Sequence, residues 1–91
     1  MRYTWDPSKA ESNERDHQVN FTDAVSVFRD DYGLSQEDRS AHGEDRYVTV
    51  GMNRFGQVLV VVYTYRGDEE TRIISARRAT RREQRLYEQQ R

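Results

Sequence analysis

Cysteine is absent from the 91 residues. That removes disulfides and thiolate metal sites together. The two histidines, His17 and His42, lie far apart and lack an HExxH spacing, so no metal site and no cofactor are expected. No run of 18 apolar residues exists to cross a membrane as a helix. The opening MRYTWDPSKA lacks the apolar stretch of a signal peptide, which points to the cytoplasm. Lysine is nearly absent too: Lys9 stands alone among fifteen basic residues, and the other fourteen are arginine. Repeats, low-complexity segments, a Walker loop, a nucleophile elbow and a dinucleotide fingerprint are all missing.

What is present fits one small domain over residues 1–91. A chain of this size buries only ~60–65% of the surface its unfolded form exposes, enough for a single thin core. Hydrophobic residues make up 34% and charged residues another 34%, a lean core that would gain from a partner. The net charge of -1 conceals a division. Residues 1–45 carry 5 basic and 11 acidic groups, and residues 46–91 carry 10 basic and 5 acidic groups. Arginine is the better cation for bidentate phosphate contacts and for stacking on bases.

Local patterns place the elements. RYTW at 2–5 reads as a short strand. Asp6 is a good N-cap and Pro7 suits the first helical position, so a helix runs from 7 to about 16, with Lys9, Asn13, Asp16 and His17 near one polar face. Thr22 can cap a second helix over 22–29, with Phe21 as its staple. Residues 29–45 are rich in turn formers and acids and read as a surface connection. Residues 45–52, 56–66 and 70–79 form three strand candidates separated by glycine-containing loops, an antiparallel meander. The middle one is apolar on both parities from Val58 to Tyr63 and should be buried on both faces. Thr80 and Glu83 form a capping box that opens a last helix, whose apolar anchors are Leu86 and Tyr87. The expected fold is α+β, helices on an antiparallel sheet in the order β-α-α-β-β-β-α.

The segment RIISARRATRRE holds five arginines in twelve residues, Arg72 to Glu83. Simple alternation sets Arg72, Ile74 and Ala76 on one side and Ile73, Ser75 and Arg77 on the other. Arg72 and Arg77 then share a cleft only if a bulge or the strand end re-aims one of them. Arg77, Arg78, Arg81 and Arg82 crowd a helix N-terminus, where cations are disfavoured by a few tenths of a kcal/mol each. Phosphate is one explanation for that crowding; pairing with acids of the first half, such as Glu44 or Asp45, is the other.

The ordered set of residues resembles the BrnT family of toxins from bacterial type II toxin–antitoxin pairs. The resemblance spans nearly the whole chain. It rests on Trp5-Asp6-Pro7, Lys9, Asn13, His17-x-Val19-x-Phe21, Glu44-x-Arg46, Gly51, the Val60–Thr64 strand, Arg66-Gly67 and Arg72-Ile73-Ile74-Ser75-Ala76-Arg77. Ala79, Glu83 and Tyr87 complete it. It implies a RelE-like fold and ribonuclease activity that halts translation. It also implies a cognate ribbon-helix-helix antitoxin and, through that antitoxin, contact with operator DNA. Under this resemblance His17 would transfer a proton and Arg46 and Arg77 would stabilise the phosphorane charge. Lys9, Arg72, Arg78 and Tyr87 would bind RNA. The family commonly reads Lys-His-Gly where this chain has Asp16-His17-Gln18, which sets a negative charge near the phosphate. A second reading follows from that departure: a weak or inactive member that serves as the antitoxin's partner and co-repressor.

Overall fold

Asp6 opens the first helix as its neighbours dictate: its carboxylate accepts from Ser8 N–H at 2.8 Å, and Pro7 takes the first turn. The computed structural model, which describes residues 1–38 and 45–90, continues from there as an α+β domain. Its elements are β1 (Arg2–Thr4), α1 (Pro7–His17), α2 (Phe21–Val25) with a 3-10 turn at Ser26–Arg29, β2 (Leu34–Asp38), β3 (Arg46–Met52), β4 (Val58–Arg66), β5 (Glu70–Arg78) and α3 (Arg81–Glu88). The five strands form one sheet in the order β1-β5-β4-β3-β2. All pairs are antiparallel except β1 with β5, which run parallel.

Three expectations need correction. The stretch read as a surface connection contains β2, an edge strand paired with β3. Its single apolar residue, Leu34, sits opposite Val50, too weak a signal to stand out among acids. The second helix is capped by Asn20, whose side chain accepts from Thr22 N–H, and Thr22 lies inside it. The helix proper stops at Val25, where the chain tightens into the 3-10 turn.

Cross-strand partners point to the same side of a sheet, so the register defines two faces. On the inner face Leu59, Val61 and Tyr63 of β4 lie opposite Arg78, Ala76 and Ile73 of β5. Val19, Phe21, Ala24 and Val27 pack onto that side to complete the core, with Trp5, Ala10 and Phe28 at its margin. Burying a side chain such as Phe21 or Leu59 contributes ~2 kcal/mol. At Gly51 of β3 a Cβ would meet Val27 Cγ1 at 2.8 Å, so any larger residue requires the buried Val27 to shift. On the outer face Val58 and Val60 of β4 are buried as well, so β4 is covered from both sides as its sequence foretold.

The register slips between Val62 and Tyr63, and Ile74 is left without an opposite residue. This bulge reverses the parity of β5 partway along. Arg72 pairs with Thr64, Ser75 with Val62 and Arg77 with Val60. Since Thr64, Val62 and Val60 alternate along one side of β4, Arg72 and Arg77 share the outer face.

Candidate nucleic-acid interface

The outer face carries a transverse row of side chains. Asp38 lies opposite Arg46 and Thr4 lies opposite Arg72. Thr64 is the partner of Arg72 and stands one residue beyond Tyr63, which pairs with Tyr47. The row therefore reads Asp38, Arg46, Thr64, Arg72, Thr4 from one edge to the other. Strands lie ~4.8 Å apart, so the Arg46 and Arg72 backbones are separated by ~10 Å, a gap two arginine side chains can close around one phosphate. Thr64 Oγ1 donates to the Asp45 carbonyl at 2.6 Å and ties down the entry to β3. Arg72 is half-buried and forms no side-chain hydrogen bond or ion pair among the described residues. Arg46 is half-buried beside it in the row.

Arg77 is placed differently. Its two terminal nitrogens donate to Glu83 Oε1 and Oε2 at 2.8 and 2.9 Å, and one of them also reaches the Arg78 carbonyl at 3.3 Å. Glu83 in turn closes the capping box: Oε1 accepts from Thr80 N–H at 2.8 Å, and Thr80 Oγ1 accepts from Glu83 N–H. The Arg77 hydrogen bonds hold the Glu83 carboxyl down at about 2, opposed by partial burial and helped by Thr80. The same contact raises Arg77 further above its ordinary value. Sequence reasoning identified Glu83 as a cap but missed it as the partner of Arg77. The spacing of six residues across a strand-to-helix turn was the available signal.

The remaining arginines divide. Arg78 faces the inner side, opposite Leu59, and is exposed. Arg81 and Arg82 are exposed on the first turn of α3. Arg2 pairs with Glu70 at 2.8 Å and Arg54 with Asp23 at 3.2 Å. Glu44, named in the sequence as a partner for this cluster, lies outside the described residues.

Lys9 and His17 sit on α1, which packs against β5 from the inner side, and both are exposed. His17 ends the helix, where with Arg15 it complements the negative C-terminal dipole. Asp16 is held by Arg15 at 3.6 Å. The last turn of α1 is fixed by Asn13, which sequence reasoning left on a polar face. Its amide donates to the Ala76 and Val19 carbonyls at 2.8 and 3.0 Å and accepts from Ala76 N–H at 3.0 Å. An asparagine 6% exposed thus acts as a piece of backbone against β5. Tyr87 is enclosed, 1% exposed, and its hydroxyl donates to Asp30 Oδ2, which also accepts from Met52 N–H. It joins α3 to the end of β3, so its hydroxyl is engaged within the chain and does not stand in the arginine row.

A family model described as "Ribonuclease toxin, BrnT, of type II toxin-antitoxin system" matches residues 5–83. The chain belongs to the BrnT family of ribonuclease toxins. The crystal structure of the Brucella abortus ribonuclease toxin BrnT shares the fold, with a TM-score of 0.67 at 22% identity, over 89% of this chain and 99% of that one. No curated protein matches the chain. The BrnT match takes in Lys9, Asn13, His17, Arg46, Arg72, Arg77 and Glu83, and it stops short of Tyr87. Among the described residues no helix is long and apolar enough to cross a membrane.

Proposed function

We propose that this chain is the toxin of a type II pair and cleaves RNA in the cytoplasm without a metal ion, arresting translation. The observation that carries the reading is the outer-face row in which Arg46 and Arg72 flank Thr64. Metal-free RNA cleavage sends the ribose 2′-OH against the adjacent phosphorus, and the extra phosphorane charge needs fixed cations. Two guanidiniums in one row supply them without changing protonation. Arg77, on the same face, keeps two N–H donors beyond those turned to Glu83 and Arg78. His17 and Lys9 on α1, and Arg78, stand on the inner side, across the sheet from the row, so they are proposed as contacts to flanking RNA and not as the proton donor at the phosphate held by Arg46 and Arg72. A ribbon-helix-helix antitoxin neutralises the toxin and links it to operator DNA.

The clamp on Arg77 and the negative charge of Asp16 favour a second reading, a weak enzyme whose main role is as co-repressor with that antitoxin. One experiment separates them. The chain is induced alone in a bacterium, and growth and RNA integrity are followed beside Arg72→Ala and Arg46→Ala. Growth arrest with RNA breakdown, lost in both variants, supports the nuclease. Arrest that persists in both variants removes the row from the site, and normal growth with intact RNA favours the co-repressor.

A further inference from the structure

Beside the arginine row the outer face deepens into a groove of about 290 Å³ between α3 and the β2–β3 pair. Val48 and Val50 floor it, Leu34 and Leu86 close its sides, and Ser35, Gln36 and Glu83 are its polar residues. Gln36 lies opposite Val48, and Val48 lies opposite Val62. That places Gln36 one row from Arg46, a step of ~7 Å along the strands. Leu86 is half exposed, an apolar side chain on a charged helix.

We infer that this groove receives a base of the RNA strand whose phosphate lies on Arg46 and Arg72, and that Gln36 and Glu83 together read it in favour of adenine and cytosine over uracil. The inference rests on the RNA-cleaving reading above. A flat base fits between Leu86 and the two valines, buried on both faces. The Gln36 amide offers a donor and an acceptor side by side, which hold the edge of a base, and single-stranded bases are read on such edges. Glu83 sharpens the choice. Its carboxylate has about four lone-pair sites, and Arg77 and Thr80 occupy three of them. The remaining site accepts from an amino group and repels a carbonyl. Adenine and cytosine present such an amino group, while uracil presents two carbonyls around a single N–H. Val48, in the groove floor, stands two residues along β3 from Arg46 on the same face, so a base in the groove lies one row from a phosphate on the arginines.

The test uses the whole chain and short 2′-O-methyl oligonucleotides of A, C and U, which bind without being cut. Affinities are read by fluorescence anisotropy at one fixed salt concentration. The A and C strands are expected to bind about tenfold more tightly than U, in the range of one good base contact. Gln36→Leu and Gln36→Thr, both suited to an edge strand, should bring A and C down to the level of U, with the melting temperature checked in parallel. Equal affinity of the starting protein for all three strands overturns the inference and leaves the nuclease reading standing. So does a preference that survives both Gln36 substitutions. Absence of binding to every strand overturns the nuclease reading and the groove with it, and Arg72→Ala, expected to weaken all three strands alike, marks that difference.

Discussion

Replacing Glu83 with glutamine isolates the ion pair that ties α3 to β5. Glutamine keeps one oxygen for Thr80 N–H and Arg77 Nη1, so the capping box survives; what is lost is the charge opposite Arg77 and the second acceptor, Oε2, that takes Arg77 Nη2. A carboxyl held at about 2, against an ordinary value of ~4.3, corresponds to a ceiling of ~3 kcal/mol. The Glu83 and Arg77 side chains are 27% and 43% exposed, and solvent screening reduces this to ~1–2 kcal/mol. For a domain of this size that is a drop in Tm of roughly 5–10 °C. The sign with pH follows from the lowered folded-state value. The stabilisation is complete above about pH 5, where the unfolded carboxyl is ionised, and is lost as pH falls through about 2. Urea melts of both proteins at about pH 7 and about pH 2.5, at constant ionic strength, measure it. The gap between them should be clear at the higher pH and should shrink at the lower. No gap at about pH 7, or one of the same size at both, refutes the ion pair as a source of stability.

Two further outcomes follow from the helix ends. Gln18 caps α1 in the left-handed region, at φ 54° and ψ 34°, a conformation that favours glycine. Gln18→Gly should therefore raise stability by ~0.5–1 kcal/mol, seen as a higher urea midpoint with an unchanged m-value. Asn13→Ala removes the partners of Ala76 N–H and of the Ala76 and Val19 carbonyls and should cost ~2–4 kcal/mol in the same melts. A loss below ~1 kcal/mol would show that water replaces the amide.

Legibility in the sequence tracked how local each signal was. The Asp6–Pro7 start and the Thr80–Glu83 box are decided within four residues and stood out. So did β4, whose unbroken apolar run could be nothing but a central strand. β2 was hidden because an edge strand with one face in solvent needs few apolar residues, and LSQED has one. The bulge at Ile74 was hidden because isoleucine stands on both parities there and either register looks buried. It could be named only as a condition for Arg72 and Arg77 to share a side, and the pairing with β4 meets that condition. Asn13, Glu83 and Tyr87 share a different difficulty. Each is a residue type common on surfaces or at sites, and only its distant partner (Ala76, Arg77 or Asp30) reveals its role.

Asn13 has one more effect, on the limits of the sheet. β1 pairs with β5 only as far as Arg72, so the later part of β5 would offer bare backbone to any strand that drifted past, the usual template for edge-to-edge aggregation. The Asn13 amide occupies that position at Ala76. The opposite border, β2, carries Glu37 and Asp38, charges that deter a second copy from docking there. A chain with so lean a core is thereby kept from polymerising at both borders, by a side chain imitating a strand on one and by like-charge repulsion on the other.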